Sequence, residues 1–95
     1  MSITVVVSIK GTSVEKIREV ATARPDLSEA LGTLLKKHGV ISHKRYHNGD
    51  DILDIDEWES EEGFQNFLTE ARPLIDELAR LRGSETPTDK VWFPL

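Results

Sequence analysis

Residues 42–60 read SHKRYHNGDDILDIDEWES, and this stretch predicts a β-hairpin. Its centre, Asn48-Gly49, is the strongest short hairpin-turn signal, because both residue types tolerate the positive φ of tight primed turns. One face of the hairpin carries His43, Arg45, Asp54, Asp56 and Trp58. A sheet face that packs in a core is expected to be apolar, so this charged face needs a separate explanation.

The length of the turn decides which of these side chains are neighbours. A two-residue loop at residues 48–49 places His43 opposite Asp54. A four-residue loop instead places His43 opposite Asp56 and Arg45 opposite Asp54. The sequence leaves both registers open.

Both registers put the charged residues and Trp58 on one face, and Leu53 and Ile55 on the face that helices would cover. A three-residue loop would turn His43 to the helix side, because a slip of one residue reverses every side chain. That outcome would count against a site built on the hairpin.

The segments before the hairpin predict a strand and a helical region. In residues 3–9, ITVVVSI, apolar residues alternate at period 2, with Ile3, Val5, Val7 and Ile9 on one side. A helix begins after Ser13, a suitable N-cap. Pro25 predicts a break near Arg24, followed by a second helical piece that ends at Gly39.

The segments after the hairpin predict a helix and a last strand. Ser60 is a suitable N-cap for a helix over residues 61–83, with acidic residues at its positive end. Pro73 predicts a break inside this helix. Residues 90–95, KVWFPL, predict a short final strand.

The order is therefore β-α-β-β-α-β, the ferredoxin-like arrangement, in one α+β domain over residues 1–95. Helices would cover one face of a four-stranded antiparallel sheet. We expect the other face to present Thr4, Val6 and Ser8 from the first strand and Ile52, Asp54, Asp56 and Trp58 from the third. Such a half-apolar face favours burial against a partner, so we predict a homodimer that packs sheet toward sheet.

Composition excludes several classes of function. The chain has 95 residues, a formal net charge of −5 and no cysteine. The charge argues against a nucleic-acid or anionic-membrane partner, and the lack of cysteine excludes disulfides and thiolate chemistry. No apolar run approaches a membrane span, and the first residues do not resemble a signal peptide. A cytoplasmic location is the default expectation.

The junction between the hairpin and the following helix carries a family resemblance. Residues 52–68, ILDIDEWESEEGFQNFL, resemble the stretch that joins the third strand to the second helix in the antibiotic biosynthesis monooxygenase-like family, within the dimeric α/β-barrel superfamily. The shared pattern is an acidic residue, Trp, a spacer, Ser, and a helix that opens with acidic residues and an aromatic. It is matched here by Glu57, Trp58, Glu59, Ser60, Glu61, Glu62 and Phe64.

The resemblance implies a homodimer whose two sheets form a barrel-like interior, with a ligand cavity between the open sheet face and the helices of each subunit. The family includes cofactor-independent oxygenases of quinols and aromatic polyketides, and haem-degrading enzymes. Many members carry a histidine nine residues after the Trp, where this sequence has Phe67. No histidine lies on that helix to serve as an axial haem ligand, so no cofactor is predicted.

The three histidines do not predict a metal site. His43 and His47 are four residues apart on a strand, which separates them by roughly 13 Å at about 3.3 Å per residue. That distance is too long for the two rings to share one ion.

We interpret His43 as a candidate general base oriented by Asp54 or Asp56. Arg45 is a candidate for binding a substrate anion, and Trp58 for stacking on an aromatic ligand. The function hypothesis is a small-molecule-binding dimer, and specifically a cofactor-independent monooxygenase of an electron-rich aromatic or quinol.

The alternative is a non-catalytic binding or structural homodimer, in which the charged hairpin face is a dimer contact and its charges pair across strands. In that case Trp58 would be a core residue.

Overall fold

The computed structural model describes residues 1–95 and has four strands and three helices. The elements are β1 (Ile3–Ile9), α1 (Val14–Ala23), α2 (Pro25–Lys37), β2 (Val40–Asn48), β3 (Asp51–Trp58), α3 (Glu61–Arg82) and β4 (Thr88–Trp92). The strands form one antiparallel sheet in the order β2-β3-β1-β4. This confirms the predicted ferredoxin-like arrangement, with the first helical region in two pieces. None of the helices combines the length and hydropathy that a membrane crossing requires.

The two helical prolines have different effects. Pro25 is the first residue of α2, and Arg24 directly before it is the C-cap of α1. The predicted break there is confirmed, because proline lacks an N–H that the first turn of a helix does not use. The predicted break at Pro73 is wrong, since α3 continues through it. The buried residues Ala71 and Leu78 anchor the helix on both sides of Pro73, and this packing outweighs the one lost hydrogen bond.

The core forms around Trp58 at the end of β3. Trp58 is completely buried, and its ring lies 5.5 Å from the ring of Phe64 and 5.1 Å from that of Phe67. Both phenylalanines come from the first turns of α3. The Ser60 side chain accepts a hydrogen bond from the backbone N–H of Gly63 and caps this helix. The strand-to-helix junction that carries the family resemblance is thus the anchor of the core.

The register of β1 on β3 corrects the predicted face of the hairpin. Ile3 lies opposite Trp58, Val5 opposite Asp56 and Val7 opposite Asp54. Directly opposite residues in an antiparallel pair share a face, and Ile3 and Val5 are buried against the helices.

The charged face of the hairpin is therefore the helix-covered face, and the prediction that it is the open one is wrong. Leu53 and Ile55, predicted to lie under the helices, are on the open face opposite Ser8 and Val6. The physical reason is that Trp58 buries more apolar surface than either Leu53 or Ile55. The face of β3 that carries Trp58 is therefore the one that packs against the helices. The carboxylates share its face because side chains alternate at period 2.

The hairpin has the second of the two predicted pairings. His43 lies opposite Asp56 and Arg45 opposite Asp54. Asn48 still pairs with Asp51, so the turn itself is Gly49-Asp50, one residue later than the sequence suggested. Gly49 has a φ of 61°, and no other residue of the turn has a positive φ, which is the pattern of a type II′ turn.

A bulge between Val40 and Ser42 shifts the alternation of β2 by one residue. Val40 and His43 therefore point to the same side of the sheet, although they are three positions apart. The bulge lets the strand begin over Trp58 and still present His43 toward the helices.

Candidate functional site

A cavity of about 320 Å³ lies between the sheet and the helices α2 and α3. Its apolar lining comes from both layers: Val7, Ile9, Leu31, Leu35, Phe64, Phe67, Leu68, Ile75 and Leu78. Its charged lining is His43, Arg45, Asp54, Asp56, Arg72, Arg82 and Asp89. A concave, mostly apolar space with a few converging polar groups is the usual form of a small-molecule site.

Two charged pairs occupy the sheet side of this cavity. His43 Nδ1 lies 2.5 Å from Asp56 Oδ1. Arg45 donates through Nε to Asp54 Oδ1 at 2.6 Å and through a terminal nitrogen to Oδ2 at 3.0 Å. The two carboxylates are 6% exposed each, and each has one hydrogen-bonded partner on the neighbouring strand.

The hydrogen bond from His43 to Asp56 determines which ring nitrogen is available. An ionised carboxylate only accepts hydrogen bonds, so Nδ1 carries the proton and Nε2 is the atom that can take up another. The bond to Asp56 also raises the pKa of His43 above its ordinary value of 6.5, an effect that partial burial of the ring opposes. The arrangement makes His43 a stronger base than an isolated imidazole.

The pair of Arg45 with Asp54 leaves part of the guanidinium free. Two of its five N–H donors bind Asp54, which leaves three. The same bond raises the pKa of Arg45, against the effect of burial. Arg45 therefore stays charged and retains donors at the cavity.

The other predicted site residue, Trp58, does not line the cavity. It lies behind Phe64 and Phe67, which do. Its position fits the alternative interpretation as a core residue. Trp58 could influence a bound ligand only by positioning the rings of Phe64 and Phe67. The Nε1 of Trp58 is buried without a hydrogen-bond partner.

The sequence interpretation missed the two arginines that α3 contributes, Arg72 and Arg82. A signal for them exists. Ile75 and Leu78 belong to the apolar stripe of α3, and Arg72 and Arg82 fall on the same stripe, three residues before and four residues after these positions. Their charges on the apolar stripe of a core-facing helix were therefore the signal that could have marked them as candidates.

The cavity also changes the interpretation of the charged face as a dimer contact. In the structure that face lies on the helix side of the sheet, its two carboxylates are buried and its ion pairs form within one sheet. The side chains of His43 and Arg45 stay 40% and 37% exposed, so a dimer contact through this face stays a prediction. The opposite face of the sheet, called the open face below, is the one without helices.

No protein-family model and no curated protein matches this sequence, but solved structures do. The monooxygenase ActVA-Orf6 of Streptomyces coelicolor, solved with nanaomycin D, is 17% identical with a TM-score of 0.71, over 99% of this chain and 88% of that one. A variant of SnoaB, a cofactor-independent oxygenase of Streptomyces nogalater, is 14% identical with a TM-score of 0.69, over 98% and 92%. A dimeric ferredoxin-like protein from an uncultured marine organism is 16% identical with a TM-score of 0.69, over 99% and 88%.

At identities this low the likeness establishes the fold alone. The chain has the ferredoxin-like fold of the antibiotic biosynthesis monooxygenase-like proteins over its full length. The resemblance that residues 52–68 indicate is thus confirmed at the level of the fold, and chemistry must be argued from the site.

Proposed function

We propose that this protein binds a small aromatic molecule in the cavity and acts as a cofactor-independent monooxygenase of an electron-rich phenol or quinol. The observation that carries the proposal is the pair of His43 and Asp56 at the wall of an apolar cavity. Similarity of fold to ActVA-Orf6 and SnoaB supports it.

In the proposed mechanism, His43 Nε2 removes the proton of the substrate hydroxyl. Asp56 stabilises the imidazolium that results, as an acidic partner does in other catalytic dyads. The free donors of Arg45 stabilise the phenolate. The apolar lining lets the ring pack against Phe64 and Phe67.

The electrons for the reaction come from the substrate. The phenolate reacts with molecular oxygen at a ring carbon, where a C–O bond forms and a C–H bond breaks. The O–O bond then breaks, and the second oxygen atom leaves as water, so that a phenol becomes a quinone and a quinol becomes a hydroxyquinone. This balance needs no external reductant.

The test compares oxygen uptake by the wild-type protein, His43→Ala and His47→Ala with naphthohydroquinone as the probe. We expect a loss of the enzyme-dependent rate of about 100-fold or more in His43→Ala, the usual effect of removing a general base. His47, on the same strand, is exposed and outside the cavity lining, so its substitution should leave the rate unchanged. Wild-type turnover in His43→Ala would remove His43 from the mechanism. Binding of the probe without oxygen uptake would favour the non-catalytic binding protein.

The pH dependence gives a second test. The base must be neutral, so the rate should rise as the pH passes the pKa of His43, which lies above 6.5 because of Asp56. Asp56→Asn removes the main cause of this shift, so the rising limb should move to lower pH. A limb that stays in place would show that another group titrates.

We further propose that two copies associate through the open face. This face carries apolar side chains that are substantially exposed: Tyr46 and Trp92 at 50% and Ile55 at 37%. Exposed apolar side chains gathered on one sheet face favour a partner, and one of the structural neighbours is a dimeric ferredoxin-like protein.

Sedimentation of Ile55→Asp tests the dimer. We expect this variant to be a folded monomer, whereas Ala21→Asp, which adds the same charge on the exposed surface of α1, should remain a dimer. A wild-type monomer would contradict the proposed association. Arg45→Ala should leave the dimer intact, because Arg45 lies on the other face of the sheet.

A further inference from the structure

The guanidinium of Arg82 carries a charge that the protein does not balance. Arg82 lines the cavity at the last turn of α3. Its Nε is buried and has no hydrogen-bond partner, and none of the ion pairs of the protein includes Arg82. Arg82 as a whole is only partly buried, so its terminal nitrogens reach solvent while Nε does not. Buried polar groups normally have partners, so this Nε is an exception that needs an explanation.

The surrounding charges cannot supply the missing partner. Asp54, the acid whose charge acts on Arg82, already accepts two hydrogen bonds from Arg45. The pKa of Arg82 is lowered, first by burial and then by the positive charge of Arg45, while Asp54 offsets only part of this effect. Two guanidinium groups therefore share one carboxylate at this end of the cavity, which leaves one positive charge in excess.

The other charged groups of the lining do not change this balance. Asp56 is engaged by His43. Arg72 and Asp89 also line the cavity but are exposed, so water solvates their charges. The helix dipole favours a cation at the last turn of α3, but this benefit applies equally to Arg80, which lies outside the cavity and pairs with Glu77.

We propose that the ligand of this cavity is an aromatic molecule that carries a carboxylate, and that the carboxylate lies against the guanidinium of Arg82. The planar fork of arginine matches a carboxylate in both shape and charge. One monoanion neutralises the single excess charge, and the aromatic body fills the apolar part of the cavity beside Phe64 and Phe67. This inference rests on the proposed function and names the substrate class of the same site.

The test measures the affinities of naphthoate and naphthamide by titration calorimetry at neutral pH. The two probes have nearly the same shape and differ in charge, so their affinity ratio isolates the contribution of the anion. We expect the wild-type protein to prefer naphthoate by about tenfold, the effect of one charge-assisted contact. Arg82→Gln should remove this preference and keep the affinity for naphthamide, which also shows that the variant is folded.

Arg80→Gln is the matched control, because it removes the same charge from the same turn of α3 outside the cavity. It should keep the tenfold preference. If Arg82→Gln does not fold, Arg82→Lys replaces it. The lysine keeps the charge but loses the fork, and the preference should fall without disappearing.

Three results would overturn the inference. One is equal affinity of the wild-type protein for both probes, and another is a preference for naphthoate that survives in Arg82→Gln. In both cases binding of naphthamide would still show that the cavity accepts an aromatic ligand, so the proposed function would not be contradicted. The third is that neither probe binds, and oxygen uptake with naphthohydroquinone then shows separately whether the proposed function fails as well.

Discussion

Removal of Arg45 should destabilise the protein through the carboxylate that it leaves behind. Asp54 is 6% exposed, and Arg45 is its ion-pair partner. Breaking a fully buried pair from one side costs about 3–5 kcal/mol, mostly because the remaining charge is buried alone. The side chain of Arg45 is 37% exposed, so water can replace part of the lost interaction. We therefore expect Arg45→Met to lower the free energy of unfolding by about 2 kcal/mol.

The double variant Arg45→Met/Asp54→Leu separates the two contributions. If the cost of Arg45→Met is the unpaired carboxylate, replacing Asp54 as well should recover most of it, because apolar replacements of a buried pair are often neutral. Urea denaturation at one fixed protein concentration measures all of the variants, since dimer formation would make stability depend on concentration. In thermal unfolding, the loss in the single variant corresponds to a decrease in Tm of about 10 °C.

The matched control is Arg24→Met. Arg24 donates two hydrogen bonds to Asp26, both at 3.0 Å, in the same bidentate geometry but in solvent. Its removal should leave the unfolding midpoint unchanged, because exposed ion pairs contribute little. Equal losses in Arg24→Met and Arg45→Met would refute the argument from burial. A double variant as unstable as Arg45→Met would show that the cost does not come from the Asp54 charge.

Three further substitutions test the packing of the protein. Trp58→Ala should lower the free energy of unfolding by about 4 kcal/mol in urea, since it leaves a cavity beneath the two phenyl rings, and a loss below about 1 kcal/mol would contradict this role. Gly63→Ala should destabilise by about 2 kcal/mol, because the added Cβ would overlap the backbone carbonyl oxygen of His38. Gly32→Ala, where nothing lies within 4 Å, should instead raise Tm through better helix propensity, and a similar decrease in both glycine variants would argue against the steric explanation.

The order of the elements follows directly from local signals in the sequence. The turn at Gly49, the cap at Ser60 and the proline at the start of α2 each act within a few residues, so they can be predicted without tertiary information. The pairing of Arg45 with Asp54 was one of two open registers, and the choice depended on a shift of the turn by one residue. Pro73 shows the limit of local signals, because tertiary packing holds α3 together around it.

The face of β3 could not be predicted from its pattern alone. Ile52 and Trp58 argue for burial of one face, and Leu53 and Ile55 argue for burial of the other. The charges between them then favoured the wrong choice, because carboxylates are rarely buried. Only the pairing of β3 with the regular alternation of β1 decides the face, and that register is a long-range property.

The same conflict points to function. Natural sequences agree with their folds at most positions and depart from them where a site requires it. Here the departures converge, because the acids of β3, His43 and Arg45 of β2 and the two arginines of α3 all line one cavity. A structural ion pair alone would explain Arg45 with Asp54 and His43 with Asp56, but it gives no reason for Arg82, whose charge has no partner within the protein. A leucine or methionine at position 82 would stabilise the protein more than an arginine without a partner. A ligand that carries a carboxylate would explain why an arginine is present there.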